Sequence, residues 1–323
     1  MHLAISLNIA AATGETVLDF SRISKFVRQA EAAGVDMIVS SDTADGPSSS
    51  PFEATTLLAA LATVTDRIGL VASASTLAHQ PYNLARRFAS LDIISHGRIG
   101  WHATMAQDSR EAANFSRPEG FSDTDFRRRA EEYIGIVRGL WQGWDADALL
   151  FDKTGGRFHD PEKMHLLDHK GEFFSVRGPL NVARSPQDTP VLVLSGLSEP
   201  DLDIAARNAD VILLESGSAE SAKIRFDDLR RRATAAGRDP DAMRVLTNIS
   251  FAPDDTRAAT ADRLESQFRT RSCDGFNIQV RCSMLDEFTD LVLPVLRQRG
   301  LVREGYRGTT LRSHLGLAGG GDR

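Results

Sequence analysis

Eight short apolar runs in this chain end in, or carry, side chains able to hold a ligand. They supply Asn8; Ser40, Ser41 and Asp42; Ser73, Ser75 and Thr76; Trp101, His102 and Thr104; Ser195, Gly196 and Ser198; Glu215 and Ser216; Asn248 and Ser250; and Asn277 and Gln279. Hydroxyls and carboxamides dominate this set, and such groups orient a ligand without strong acid–base chemistry of their own. No defensible Ser-His-Asp spacing, G-x-S-x-G elbow, P-loop or H-E-x-x-H accompanies them. The set suits a bound cofactor that brings its own reactivity.

Within it, His102 stands out. Side chains alternate along a strand, so His102 and Thr104 share one face while Trp101 and Ala103 share the other. His102 is either a satisfied core residue or a ligand contact, and its neutral form can exchange a proton near neutral pH. Asp42 either caps the turn Thr43–Gly46 or touches a cofactor or substrate. His159, His165 and His169 lie among aspartates, but gaps of six and four residues in an irregular segment read as a solvated loop, and no metal site is expected.

The elements that must position these residues alternate regularly. Strands are expected at 3–9, 35–41, 68–74, 98–105, 190–195, 210–214, 243–251 and 275–280. Helices are expected at 19–33, 52–64, 81–94, 124–141 and 199–208, then in a segment reaching Ala236, at 256–271 and at 285–299. Eight of each is the count of an α/β protein with a (β/α)8 TIM barrel, in which strand ends and following loops form the active site. A doubly wound open sheet is the alternative, but no G-x-G-x-x-G follows the first strand. Two segments break the rhythm: a long connection from Gln107 to Asp123, and an excursion after the fourth helix, Gly143 to Gln187, with a hairpin around Gly171–Gly178. Barrel logic starts that excursion at the face opposite the strand ends, so it is expected to pack beneath the barrel. The reading is one barrel domain over 1–315 and a flexible tail over 316–323.

Composition bounds the function. Of 323 residues, 41% are hydrophobic and 25% charged, with 38 Lys+Arg against 44 Asp+Glu. That is the profile of a soluble globular protein, and the net charge of −6 argues against a general nucleic-acid binder. The two cysteines, Cys273 and Cys282, read as reduced thiols of a cytoplasmic protein. The N-terminal segment reads as a strand rather than a signal peptide, and no run reaches the ~18 apolar residues of a membrane span.

Several strings carry a family resemblance: Pro81–Asp92 (PYNLARRFASLD), Ile94–Trp101 (ISHGRIGW), Arg129–Tyr133 (RAEEY), His169–Asn181 (HKGEFFSVRGPLN), Asp274–Asn277 (DGFN) and Tyr306–Arg312 (YRGTTLR). Together they resemble the bacterial-luciferase-like flavin monooxygenases, and within them the nitrilotriacetate, dibenzothiophene-sulfone and long-chain alkane monooxygenase branch. The resemblance spans nearly the whole chain. It implies a (β/α)8 barrel, reduced FMN supplied by a separate flavin reductase, and O2 as co-substrate for oxygenating a small or medium organic substrate. It also implies a homodimer or higher homo-oligomer. Carried over by position, Asp42 and Ser73 lie beside the flavin ring, Ser73 after a non-proline cis bond from Ala72. His102 takes the place of a ring-contacting asparagine, and Gly196, Leu197 and Ser198 form the phosphate loop.

Three departures from the family pattern stand out. Ser122 and Phe126 replace a histidine and a tyrosine that contact the phosphate region. The phosphate loop continues Glu199-Pro200-Asp201, with a proline and acids where a small residue and glycine are usual. The region between the seventh and eighth strands lacks a large insertion that helps form the substrate lid. These departures keep two alternatives open: a barrel that has lost flavin and does non-redox chemistry or ligand binding, and a deazaflavin-dependent oxidoreductase.

Overall fold

The computed structural model describes residues 1–8, 19–41, 52–107, 109–115, 119–250, 257–281 and 285–319. Asp42, Thr43–Gly46, Cys282 and residues 320–323 therefore lie outside the described residues.

Eight parallel strands close into a barrel. They are β1 (His2–Asn8), β2 (Met37–Ser40), β3 (Gly69–Ser73), β4 (Ile99–Thr104), β9 (Val191–Ser195), β10 (Val211–Leu214), β11 (Arg244–Ser250) and β12 (Gly275–Arg281), each pairing with the next. β12 returns to β1, with His2 opposite Gly275 and Leu7 opposite Val280. Between them run α1 (Phe20–Ala32), α2 (Ala54–Ala62), α3 (Pro81–Ile94), α5 (Asp123–Trp141), α6 (Leu202–Asn208), α7 (Ala219–Ala235) and α8 (Arg257–Arg269). The last layer is α9 (Leu285–Glu287), a π-helical turn Phe288–Val292 and α10 (Leu293–Gln298). The barrel expected from the sequence is the barrel observed.

Strand alternation divides the core in two. Leu3, Ile5, Leu70, Trp101, Leu192, Ile212, Phe276 and Ile278 pack outward under the helices. Ala4, Met37, Val39, Val71, Val191, Val193, Val211, Leu213 and Leu246 fill the barrel interior. A short α11 (Leu311–His314) plugs the floor, adding Leu311, Leu315 and Leu317 to the interior cluster. A Cβ on Gly69 would stand 2.3 Å from Leu311 Cδ1, so this glycine makes room for the plug. Leu317 is 4% exposed, which moves the packed chain past the boundary expected at 315. The sequence reading missed α11 because a four-residue helix leaves too short a period to detect.

The floor also gathers aspartates that accept the first free N–H of neighbouring strands. Asp36 takes Leu3 N at 2.7 Å, Asp210 takes Leu192 N at 2.9 Å, Asp274 takes Val245 N at 2.8 Å and Asp92 takes Ile99 N at 2.9 Å. Arg303 pairs with Asp36 at 2.6 Å, Arg312 with Asp210 at 2.7 Å and Arg230 with Asp274 at 2.9 Å. Asp92 has instead the neutral donors Ser185 and Gln187. It is fully buried, and burial outweighs its hydrogen bonds, raising its pKa to about 6.

The connection after β4 holds a helix the sequence reading left irregular, α4 (Ser109–Asn114). The excursion after α5 contains two hairpins: β5 (Leu149–Asp152) with β6 (Arg157–His159), and β7 (His169–Lys170) with β8 (Ser175–Val176). Only the second was expected. The excursion also does not stay beneath the barrel. Glu132, at the midpoint of α5, accepts Phe173 N and Phe174 N at 3.0 Å each, and His169 Nε2 lies 2.9 Å away. A half-buried acceptor thus draws the β7–β8 turn up toward the strand ends, and Ser185 and Gln187 return the chain to the floor beside Asp92.

Asp92 gives a pH test of the floor. Its folded pKa of about 6 lies above the 3.8 of a free aspartate, so the folded state holds the proton more tightly. Stability from this site is therefore full at low pH and falls as pH rises through about 4 to 6, by up to about 3 kcal/mol. Asp92→Asn keeps the acceptor for Ile99 and Gln187 and removes the titration. Its stability relative to wild type, from denaturant melts, should improve by about 2 kcal/mol between about pH 4.5 and 7.5. An equal offset at both pH values contradicts this.

Candidate active site at the barrel mouth

Ser73 ends β3, faces inward like Val71, and sits in register opposite His102. Thr104 of the same strand is opposite Ser195 on β9. His102 is thus held between two hydroxyls: Ser73 Oγ is 2.9 Å from Nδ1, and Ser195 Oγ is 2.7 Å from Nε2. The imidazole is 7% exposed, and burial pushes its pKa down to about 4. It is neutral at physiological pH, so one ring nitrogen donates and the other accepts. The two serines are coupled through it. When Ser73 donates to Nδ1, Nε2 donates to Ser195, and the Ser195 hydrogen is free for a ligand. When the tautomer switches, the Ser73 hydrogen is freed instead.

The outward residue of the same strand anchors this clamp. Trp101 Nε1 donates to Ala74 O at 2.9 Å, and its ring lies 5.9 Å from Tyr133, 6.2 Å from Trp141 and 6.4 Å from Phe88. Strand β4 cannot rotate without breaking that aromatic cluster.

Across the mouth runs a second polar chain. Asn248 Nδ2 donates to Glu215 Oε1 at 3.0 Å, Asn277 Nδ2 donates to Asn248 Oδ1 at 2.9 Å and also to Ser6 Oγ at 2.8 Å. Both carboxamides are buried and Glu215 is exposed. Ser250 and Gln279 meet further out at 3.3 Å. The sequence named these positions one by one, apart from Ser6; the structure joins them into two hydrogen-bonded arcs. Neutral hydroxyls, carboxamides and an imidazole match a planar heterocycle that alternates donors and acceptors, so they fit a flavin ring. Buried Thr76 Oγ1 has no partner among the described residues, consistent with a polar ligand at this face.

Beyond Ser195 the chain turns at Gly196, whose φ is +66° and whose Cβ would come within 3.0 Å of Thr104 Cγ2. Ser198 does not face an open cradle. Its N–H donates to Asp201 Oδ2 at 2.7 Å, and its hydroxyl donates to the same oxygen. Ser122 caps α5 by accepting Asp125 N at 3.1 Å, and Phe126 is buried. Phe126 has no polar hydrogen, and the exposed Ser122 hydroxyl serves its own helix start beside Asp125. The expected cis bond at Ala72–Ser73 is absent. Ser73 continues the β3–β4 ladder in trans, and the cis bond among the described residues is Gly178–Pro179.

The rim carries residues that sequence reasoning did not single out as a site. Arg129 Nη1 donates to Thr76 O at 2.8 Å and stacks over Phe174 at 4.7 Å and Phe121 at 5.3 Å. With Leu77, Gln80, Phe115 and Phe173 they border a cavity of about 330 Å³. The available signal was the pairing of the RAEEY and HKGEFF strings, which Glu132 joins physically. His165 faces Asp145, His169 faces Glu132, and His159 packs edge-on to Trp144. Among the described residues, no group of three or more His, Cys, Asp or Glu is placed to hold a metal ion, and no helix is long and apolar enough to cross a membrane.

A closed parallel barrel with its inward polar residues gathered at the C-terminal strand ends is the architecture of a barrel enzyme. The family described as luciferase-like monooxygenase matches residues 1–299. N-acetyl-S-(2-succino)cysteine monooxygenase of Bacillus subtilis (strain 168) is 31% identical, over 98% of this chain and 94% of that protein. Nitrilotriacetate monooxygenase component A of Aminobacter aminovorans is 32% identical over 81% of this chain and 78% of its own length. The solved EDTA monooxygenase of Chelativorans sp. BNC1 shares the fold, with a TM-score of 0.88, 24% identity and 98% coverage of both chains. The chain belongs to the luciferase-like monooxygenase family, an oxidoreductase family that works with reduced flavin. Membership favours flavin-dependent oxygenation over the cofactor-free and deazaflavin alternatives.

The buried clamp makes a direct spectroscopic prediction. In ¹H–¹⁵N spectra of ¹⁵N-histidine protein, the His102 ring should stay neutral between about pH 5.5 and 8 and titrate near about pH 4. A midpoint between about 6 and 7 contradicts the desolvated clamp.

Proposed function

We propose that this chain is the oxygenase component of a two-component system. It takes reduced FMN from a separate flavin reductase, together with O2, and oxygenates a small or medium, moderately polar organic substrate. The observation that carries this reading is the Ser73–His102–Ser195 clamp across the mouth of a luciferase-like barrel. Bound reduced flavin supplies the two electrons with which one oxygen atom of O2 enters the substrate and the other leaves as water. The protein's part is to hold and dry that centre. Ser73 and His102 contact the ring edge, and Asp42 is assigned to the same ring by position. The neutral imidazole presents one serine hydrogen at a time, giving the ligand a donor that reverses with the tautomer. His102 is the proposed catalytic residue. Asn248 and Asn277 oppose it, and Glu215 marks the outer, solvent-facing edge where a polar substrate group can bind. Gly196, Leu197 and Ser198 lie where the flavin chain leaves the mouth. The family resemblance further supports a cytoplasmic homodimer or higher homo-oligomer.

The test is oxygen incorporation. With reduced FMN, a reductase and ¹⁸O2, a panel of thioether, sulfone, amine and carboxylate compounds should yield at least one product carrying one labelled atom. His102→Leu should lower that turnover by about 10–100-fold. Oxygen consumption that yields peroxide alone across the panel, with no labelled product, contradicts the proposal.

A further inference from the structure

The loop leaving β9 already holds an anion of its own. Asp201 Oδ2 receives both the N–H and the hydroxyl of Ser198, the first at 2.7 Å. Arg127 Nε lies 3.1 Å from Oδ1. The Asp201 side chain is 2% exposed, so the carboxylate is enclosed by these groups rather than lying at the surface. One main-chain amide and one hydroxyl donate to Oδ2, and the Arg127 guanidinium stands in ion-pair range of Oδ1 without donating a hydrogen bond to it; such a set recognises an oxyanion. Ser198 is three residues past Ser195, so the set stands within about 10 Å of the hydroxyl that holds His102. A group leaving a ring bound at the mouth reaches it.

A phosphate cannot use these donors while Asp201 keeps them. Entering beside the carboxylate places like charges together in a poorly solvated site. Displacing it leaves a buried charge without its partners. The neighbouring acids add no cation: Glu199 and Asp203 are both taken up by Arg232. Phe126 offers no substitute donor, and the Ser122 hydroxyl is turned to Asp125 at its own helix start.

We propose that Asp201 occupies the anion position of this loop, so that the chain recognises its flavin through the ring and not through a terminal phosphate. Riboflavin and FMN are then equivalent ligands. The inference rests on the flavin reading of the mouth. It fits a cofactor that is handed over by a reductase and released again rather than held.

Fluorescence titration of the full chain with riboflavin and with FMN, oxidised and after anaerobic photoreduction, tests this. Wild type should bind the two flavins within about threefold of each other. Asp201→Gly should tighten FMN by about tenfold or more and leave riboflavin unchanged. A wild type that prefers FMN by about tenfold, with the preference lost in Arg127→Ala, overturns the inference. Inorganic phosphate provides an independent readout by thermal melts. It should raise the Tm of Asp201→Gly and leave wild type unmoved, and an equal response of both overturns the inference. Should Asp201→Gly not fold, Asp201→Ser takes its place in both measurements. If neither flavin binds any variant, the flavin reading of the mouth fails, and the phosphate melts alone decide whether Asp201 fills the anion position.

Discussion

Closure of the barrel at the β1–β12 seam fixes everything else in the molecule. His2–Asn8 must pair on one side with Gly275–Arg281 and on the other with Met37–Ser40. At the seam the backbones approach so closely that a Cβ on residue 275 would fall 2.1 Å from His2 O, so glycine is required there. Once the ring is closed, strand alternation leaves no freedom about which side chains enter it. His102, Ser73, Ser195, Asn248 and Asn277 go inward, and Trp101 goes out into the aromatic layer.

The two ends of that ring use opposite electrostatics. At the floor, carboxylates cap strand N–H groups, and three of the four described have arginine partners. Charge is spent there on holding strand ends together, consistent with the stabilising face of such barrels. The mouth is nearly neutral, with burial keeping the one imidazole uncharged. A neutral site leaves the charge that develops during reaction to be governed by the cofactor and by a few reversible hydrogen bonds. Glu215 and Arg129 at the rim and Asp201 in the loop after β9 are the exceptions, and the charge of Asp201 is directed into the chain's own loop.

The periodicity of apolar residues made the fold legible, because eight strands and their helices each had enough length to show it. The single-turn α11 and the β5–β6 hairpin fall outside that strand–helix alternation, so nothing in the pattern marks them. The path of the excursion was misjudged for another reason. It depends on one long-range contact, Glu132 to the 173–174 amides, which local pattern cannot reveal. The inward set was legible residue by residue from strand parity. Its organisation into two arcs was not, since Ser73, His102 and Ser195 become neighbours through register alone. The acids after Ser198 were visible as a departure from the family pattern, but only the fold puts Asp201 against the Ser198 donors.

The central claim is that the Ser73–His102–Ser195 clamp is the place where the reduced flavin ring binds. Anaerobic titration of reduced FMN into wild type and into His102→Leu tests it most directly. The account predicts micromolar binding to wild type, weakened by about tenfold or more in the variant at unchanged far-ultraviolet circular dichroism. Equal affinity of the two proteins for reduced FMN would contradict it.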